Sequence, residues 1–318
     1  MKHPSIVRIR SGSLAVVLLL ATPVHAQRQP PPEGAQAWRD LRVVGEHGQI
    51  LATQWSARNG AGQRTATVTL QAVDAALHVQ RRAMRVYAGP AVLTSLAFRP
   101  GASLVTLVRG GAGSFVRFAI VPDGPASRVR VVEARVAASG DYRPAYAFAC
   151  ADPDGFAVIW QEASPSHPND PRTWMGRLSE TGQWLSPPHI VQVPWGFGAI
   201  AWNGSGYHLA LYYDGSGAGQ SRLTLVTLSR EGQPEQHPWW LTEPDAIGDV
   251  QMLQAADGMH VLYRGGAQGT ELMTIVSHAV GSWGRAEGGA QNAGSLRGNE
   301  AYALRVLADA SVDIARVP

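Results

Sequence analysis

The chain has 318 residues, of which 45% are hydrophobic and 16% charged, so it can bury a substantial core and is not a disordered polypeptide. Its single cysteine, Cys150, excludes an intramolecular disulfide. The 27 basic and 24 acidic residues become 24 of each once Lys2, Arg8 and Arg10 of the N-terminal segment are set aside. The composition therefore gives no support for a nucleic-acid-binding surface, and we expect no nucleic-acid partner.

The first 26 residues have the features of a signal peptide. Basic residues precede the apolar run LAVVLLLA, which is too short to span a bilayer, and VHA supplies the small residues that precede a cleavage site. Cleavage after Ala26 predicts an exported protein, periplasmic or extracellular, with no membrane span in the mature chain. Residues 27–37, rich in proline and polar residues, predict a disordered leader.

A motif of strand, tight polar turn and second strand recurs from residue 40 onwards. Its five full copies share a turn glycine, with spacings of 53, 54, 51 and 52 residues. These glycines are Gly48, Gly101, Gly155, Gly206 and Gly258. Asp-Gly at 154–155 and 257–258 predicts hairpins in which the glycine has a positive φ. A shorter sixth copy, GSLRGNEAYALRVLAD, follows, and ASVDIARVP is predicted as its third strand.

Each full copy continues with a third strand, a second turn and a fourth strand. The third strands include GSFVRFAIV, TWMGRLS, SRLTLVTLS and ELMTIVSHA. The segment VDAALHVQRRAMRV (73–86) has helical spacing, but its place in the repeat predicts a fourth strand. Four strands in about 50 residues is typical of a propeller blade. Inner strands such as GYHLALYY are apolar on both faces, as expected for sheets covered on both sides.

Residues 38–318 therefore resemble the β-propeller superfamily, which implies a single all-β domain. The repeat predicts six blades, with five or seven as alternatives, and two β-sandwich domains split near residue 140 are the competing architecture. The turn SETGQW (179–184) is similar to the Asp-box turn of sialidase-like propellers. Because Glu180 falls one place from the Asp of that family, no subfamily is predicted.

Two acidic residues are weak candidates for catalysis. Asp141 and Asp249 precede predicted first strands, from which a side chain could face the central channel. Propeller hydrolases use carboxylates in such positions, whereas the favoured interpretation gives each aspartate a structural role in a turn. The serine-containing turn NGSG (203–206) lacks the G-x-S-x-G order and joins two strands, so it predicts a hairpin and not a nucleophile.

One loop is a weak candidate for metal binding. His167 and Asp170 lie three residues apart in SPSHPNDPRTW, but the sequence contains no established zinc motif around them. The favoured interpretation is a surface loop stiffened by prolines. We expect no metal and no cofactor.

Tryptophan is abundant, with ten residues in the chain. Several fall in or beside predicted loops, and four of these are candidates for ligand binding: Trp174, Trp195, Trp239 and Trp240. Flat indoles stack on sugar rings and anchor protein partners, although they also pack between blades.

These observations predict a secreted, monomeric, non-catalytic propeller that binds a carbohydrate or a protein partner through aromatic-rich rim loops. The first alternative is a propeller-fold glycoside hydrolase that acts with channel-facing carboxylates. The second is a structural component of a cell-envelope assembly. The fold is compatible with all three, because propellers support many functions.

Overall fold

The computed structural model describes a set of ranges in which every regular element is a β-strand. These ranges are 42–44, 49–58, 64–73, 84–109, 113–122, 130–134, 141–167, 170–212, 222–235, 239–242, 247–255, 258–265, 271–277, 291–295, 301–306 and 312–317. In them, no helix is long and apolar enough to cross a membrane. The predicted signal peptide (1–26) and leader (27–37) lie outside the described residues.

Twenty strands form five four-stranded antiparallel sheets, each in sequence order. The first two sheets contain β1 (Arg42–Val44), β2 (Gln49–Arg58), β3 (Arg64–Val73) and β4 (Met84–Gly89), then β5 (Val92–Arg99), β6 (Ala102–Arg109), β7 (Phe115–Pro122) and β8 (Arg130–Ala134). The third contains β9 (Arg143–Asp152), β10 (Gly155–Ala163), β11 (Arg172–Leu178) and β12 (Trp184–Val191). The fourth and fifth contain β13 (Phe197–Trp202), β14 (Tyr207–Tyr212), β15 (Thr224–Leu228) and β16 (Trp239–Trp240), then β17 (Gly248–Ala255), β18 (Gly258–Gly265), β19 (Glu271–Ser277) and β20 (Gln291–Ser295).

The four predicted third strands are confirmed. They correspond to β7, β11, β15 and β19, each paired with the second and the fourth strand of its sheet. Of the segment 73–86, Val73 ends β3 and Met84–Val86 begin β4, as a fourth strand requires. Residues 74–83 lie outside the described part of the chain.

The sixth copy differs from its prediction by one strand. β21 (Ala301–Val306) and β22 (Val312–Val317) form a two-stranded sheet. Gly294 and Ser295, predicted to begin the sixth copy, belong to β20 and pair with β19. The segment ASVDIARVP therefore supplies the second strand of this sheet, not the third.

The first strands of successive sheets contact each other in a ring. β5 lies between β1 and β9, β13 lies between β9 and β17, and β21 contacts both β17 and β1. The predicted single all-β propeller is confirmed, and contacts between β5 and β9 across residue 140 exclude two separate sandwiches. The number of blades, six, stays a prediction.

The core lies between the sheets, because inner strands have apolar side chains on both faces. Every residue of Ala102–Val108 in β6 is buried. Between the second and third sheets, the Phe118 and Trp160 rings lie 5.9 Å apart. A second cluster joins the third and fourth sheets through Ile159, Leu209 and their neighbours. The apolar pattern that defines the repeat is therefore the packing between sheets.

Two of the repeated turn glycines are required by close packing. A Cβ on Gly155 would lie 2.0 Å from the Leu178 carbonyl oxygen, and one on Gly206 would lie 2.2 Å from the Leu228 carbonyl oxygen. Both carbonyls belong to the last residue of the third strand. The prediction of a positive φ is confirmed at Gly258 (+142°) and is wrong at Gly155, where backbone contact is the reason for glycine.

Candidate functional site

The antiparallel order gives each sheet two distinct ends. The start face is the end at which β9 and β13 begin, and it comprises residues 141–143, 163–167, 170–172 and 192–197. The hairpin face is the opposite end, and it comprises the hairpins 152–155 and 203–206 with the turns 179–183 and 229–233. Of the residues selected from the sequence, Asp141, His167, Asp170 and Trp195 lie on the start face.

Asp141 precedes β9, from which Tyr142 separates it, and lies at the centre of a cluster of hydroxyl groups. Its Oδ2 accepts hydrogen bonds from Ser164 Oγ (2.6 Å) and from Ser166 Oγ. Ser166 Oγ also lies 2.9 Å from His167 Nδ1. The hydrogen bonds from Ser164 and then Ser166 lower the pKa of Asp141 below its ordinary value. The carboxylate is therefore charged at neutral pH.

A second carboxylate lies beside this cluster. Tyr142 Oη donates a hydrogen bond of 2.5 Å to Asp170 Oδ2, and this bond raises the pKa of the Tyr142 hydroxyl. The Arg172 guanidinium lies over the Tyr142 ring, 3.7 Å from its centroid. The start face thus brings two aspartates to neighbouring positions, one bound by serines and the other by a tyrosine.

The weak metal candidates are connected through the backbone. The Asp170 amide donates to the His167 carbonyl oxygen (3.1 Å), while the Asp170 carboxylate is bonded by Tyr142 and His167 Nδ1 lies near Ser166. In the part of the chain that the structure describes, no group of three or more His, Cys, Asp or Glu side chains is arranged to hold a metal ion. His167 and Asp170 therefore stay weak candidates for metal binding, without support from geometry.

Trp195 lies between β12 and β13, partly exposed on the start face. The centroid of its ring is 5.2 Å from the centroid of the Tyr146 ring, with 54° between the ring planes. Tyr146 is on the inner strand β9 and is also partly exposed. The two rings form a tilted aromatic pair at the junction of the third and fourth sheets.

Trp174 lies in β11 and packs within the third sheet. Its ring stacks on the buried Trp160, with centroids 6.1 Å apart and 9° between the planes. Both indole N–H groups donate to the buried Glu162 carboxylate, at 3.1 Å from Trp160 and 3.0 Å from Trp174. These contacts give Trp174 a role in packing the third sheet.

The remaining candidates are placed by their backbones. Trp239 and Trp240 form β16, paired with Leu225 and Thr224 at the beginning of β15. Asp249 is the second residue of β17, an inner strand, at the end from which that strand begins. The side chains of these three residues lie outside the described part of the structure.

On the hairpin face, carboxylates hold neighbouring sheets together. Asp152 Oδ2 accepts hydrogen bonds from Arg177 Nε (2.8 Å) and from Tyr207 Oη of the fourth sheet (2.7 Å). Burial alone would raise the pKa of Asp152, but the bonds from Arg177 and Tyr207 outweigh it and lower that pKa. Asp154 pairs with Arg177 and with Arg230 of the fourth sheet. These contacts are structural.

Sequence reasoning identified Asp141 but missed its partners. Those partners, Ser164 and Ser166, carry no motif, nor does Tyr142, which binds Asp170. The segment SPSHPNDPRTW was considered only for metal binding. The usable signal was topological: the loop after a second strand lies at the same end of a sheet as the residues before the first strand. That rule places residues 164–170 beside Asp141.

No protein-family model matches this chain, and no curated protein is similar to it in sequence. The fold is similar to the Trypanosoma rangeli sialidase in complex with the inhibitor DANA (10% identity, TM-score 0.50, 88% of this chain and 52% of that chain). This chain thus spans about half the length of that sialidase.

Two further solved structures have similar folds. One is the GH93 α-L-arabinofuranosidase of Fusarium graminearum with arabinobiose (9% identity, TM-score 0.53, 90% of this chain and 95% of that chain). The other is the subtype N11 neuraminidase-like protein of A/flat-faced bat/Peru/033/2010 (H18N11) (10% identity, TM-score 0.53, 89% of this chain and 83% of that chain). At these identities the likeness establishes the β-propeller fold.

The comparison contradicts the prediction of a non-catalytic binding module. The sialidase and the arabinofuranosidase are enzymes with this fold, and at 10% and 9% identity the likeness leaves the catalytic alternative as a proposal. The prediction was wrong because it gave weight to the number of tryptophans near loops. Trp174 shows the weakness of that criterion, since its indole is packed on Trp160 and bonded to Glu162.

Proposed function

We propose that this β-propeller is an exported glycoside hydrolase whose catalytic carboxylates lie on the start face. The observation that carries the proposal is the charged Asp141 carboxylate at the beginning of the inner strand β9, bonded by Ser164 and Ser166. The signal-peptide features of residues 1–26 support export, which would bring the enzyme to glycans outside the cytoplasm.

The chemistry requires two carboxyl groups in different protonation states. One protonates the leaving oxygen, and the other, charged, acts on water as a base or on the sugar as a nucleophile. The lowered pKa of Asp141 suits the charged role. We assign the second carboxyl group to Asp249, because it lies at the corresponding end of the inner strand β17.

The serine hydroxyls have a defined part in this scheme. A hydroxyl donor stabilises the charge of Asp141 without cancelling it, and it holds the carboxylate in one orientation. His167, whose Nδ1 lies 2.9 Å from Ser166 Oγ, extends the network to the protein surface. Asp141 is thereby oriented, and among the described residues it forms no ion pair of the kind formed by Asp152 and Arg177.

The test is hydrolysis of 4-nitrophenyl and 4-methylumbelliferyl glycosides, including α-L-arabinofuranosides and sialosides. Asp141→Asn keeps the size of the side chain and removes its charge, so we expect kcat to fall roughly 10²- to 10⁴-fold. Asp154→Asn, on the hairpin face, is the matched control and should retain wild-type kcat. Asp249→Asn should also abolish hydrolysis.

Two results would contradict this assignment. If the wild type hydrolyses a glycoside and Asp141→Asn retains its kcat, the site lies elsewhere. If the folded wild type cleaves none of the glycosides in a broad panel, the proposed activity itself is wrong.

A further inference from the structure

Gln161 is a fully buried polar residue in the apolar strand β10. Its side-chain amide has three partners: Nε2 donates to the Pro194 carbonyl oxygen (2.9 Å) and to Thr173 Oγ1 (3.2 Å), and Oε1 accepts from the Gly196 amide (2.9 Å). Two of these partners are the backbone groups on either side of Trp195. The third sheet thus fixes the segment that leads into the fourth.

The position of this segment is fixed from the other side as well. A Cβ on Gly196 would lie 2.5 Å from the carbonyl oxygen of Tyr212, so the backbone is in close contact with β14. The segment is held between the Gln161 amide and β14. A buried amide satisfied in this way is costly to displace, because moving the segment would leave polar groups unpaired in the core.

A β-bulge near the beginning of β9 places a second aromatic ring beside Trp195. The pairing register of β9 with β10 shifts between Gln161 and Glu162, which face Tyr146 and Pro144, so Ala145 is an extra residue in a β-bulge. Bulges change the direction in which nearby side chains point. Tyr146, directly opposite Gln161, meets the Trp195 ring at 5.2 Å.

We propose that Trp195 and Tyr146 form an aromatic subsite for a sugar ring of the substrate, and that Gln161 is the positioning residue that fixes Trp195 there. This inference rests on the proposed glycoside hydrolase function and specifies how its substrate is held. Both residues are partly exposed, and Trp195 lies on the start face, which also carries Asp141. Indole and phenol rings offer a large apolar surface against which the hydrocarbon face of a sugar can pack.

The positioning role predicts a particular pattern of kinetic effects. Gln161 is buried beneath the surface and acts on a sugar only through Trp195. Losing its amide should therefore weaken saccharide binding and raise KM, while kcat at saturating substrate changes less than about twofold. A merely structural role would lower the melting temperature without affecting KM.

The experiment is a double-mutant cycle read by calorimetric titration with arabinobiose, cellotriose and 3′-sialyllactose. We expect Trp195→Ala to raise Kd about fivefold to tenfold for the saccharide that binds best. Gln161→Met removes the amide at similar volume and should raise Kd severalfold in the wild-type background. It should have no further effect in Trp195→Ala, because both changes remove the same interaction.

Two further variants complete the design. Gln254→Met, on the hairpin side of β17, is the matched control, since that amide donates only to the adjacent Ala255 carbonyl among its described contacts. It should leave Kd unchanged. If Gln161→Met does not fold, Thr173→Val removes one partner of the same amide, and we expect it to raise Kd about twofold.

The outcomes separate this inference from the function on which it rests. Saccharide binding that Trp195→Ala weakens, in a protein that hydrolyses no glycoside, would uphold the subsite and reject the enzyme. Hydrolysis that depends on Asp141, with Kd unaffected by Trp195→Ala, would reject the subsite alone. Independent, additive effects of Gln161→Met and Trp195→Ala would overturn the positioning role. Wild-type protein that binds none of the three saccharides would overturn the subsite.

Discussion

The two faces of the propeller hold their carboxylates by different means. On the hairpin face, the Asp152 side chain is fully buried and accepts a hydrogen bond from the Arg177 guanidinium. On the start face, Asp141 is partly exposed and is bonded by the hydroxyls of Ser164 and Ser166. The same type of residue, next to the same inner strand β9, is neutralised by a cation at one end and bound by neutral donors at the other.

The donors around a carboxylate indicate whether it stabilises the fold or is available for chemistry. A cation that pairs with a buried carboxylate fixes it in place and cancels its charge, and removing either partner leaves the other charge buried without compensation. Hydroxyl donors orient a carboxylate and leave its charge available to a ligand. The hydrogen-bond donors around an acidic residue in a propeller therefore distinguish a structural from a catalytic role better than its position in the repeat does.

The largest effect should come from breaking the buried pair on the hairpin face. Asp152→Ala leaves the Arg177 guanidinium and the Tyr207 hydroxyl without their partner, so the free energy of unfolding should fall by about 3 to 5 kcal/mol. Urea denaturation followed by tryptophan fluorescence measures it. Asp154→Ala, whose side chain is 52% exposed, is the control and should cost only about 0 to 1 kcal/mol. Equal decreases in the free energy of unfolding for the two variants would contradict the expectation that the buried pair stabilises the fold more than the exposed one.

Acid should weaken the hairpin face through His208. This side chain is buried in β14, near Asn203 Nδ2 (3.1 Å) and Thr227 Oγ1 (3.2 Å), and burial lowers its pKa to about 4. Below pH 6.5 the unfolded chain takes up a proton that the folded protein does not. The free energy of unfolding should therefore decrease by about 3 kcal/mol between pH 7 and pH 4.

His208→Gln provides the comparison for this pH dependence. It keeps a polar side chain but cannot titrate, so its unfolding free energy should vary less with pH over the same window. Asp152 contributes little there, because its lowered pKa keeps its stabilisation nearly intact until the pH approaches the ordinary value near 3.8. Parallel curves for wild type and variant between pH 7 and pH 4 would contradict the role of His208.

The smallest effect on stability, and the most informative on activity, is expected at Ser166. Ser166→Ala removes an exposed hydroxyl, so the unfolding free energy should change by less than about 0.5 kcal/mol. Because that hydroxyl lowers the pKa of Asp141, the acidic limb of the pH–activity profile should move to higher pH. Ser205→Ala, on the hairpin face, should leave the profile unchanged. An unmoved limb in Ser166→Ala would separate Asp141 from catalysis.

Much of the fold was predictable because the turn glycines have a backbone reason to recur. Gly155 and Gly206 occupy the same position beside a third-strand carbonyl, so their spacing defined the repeat. The last sheet was shifted by one strand in the prediction because no such glycine separates β21 from β22. Without that marker, an apolar pattern does not distinguish the end of one sheet from the beginning of the next.

The site was only partly predictable. Asp141 could be selected from its place before an inner strand, whereas its bonds to Ser164 and Ser166 depend on how a loop folds across the end of the sheet. Gln161 had a signal that was not used, since a glutamine within FAVIWQEA must find partners once that strand is buried. What remained out of reach was the identity of those partners, the groups on either side of Trp195.

Because β21 contacts both β17 and β1, the last sheet closes the ring between the fifth sheet and the first. In an open row of sheets, losing the terminal one costs a single interface. In this ring, losing β21 and β22 uncovers two neighbours at once, and one of them contains the first described strand of the chain. Local unfolding of the last sheet should therefore also destabilise the first and the fifth sheets, although the sequence of the last sheet matches the repeat least well.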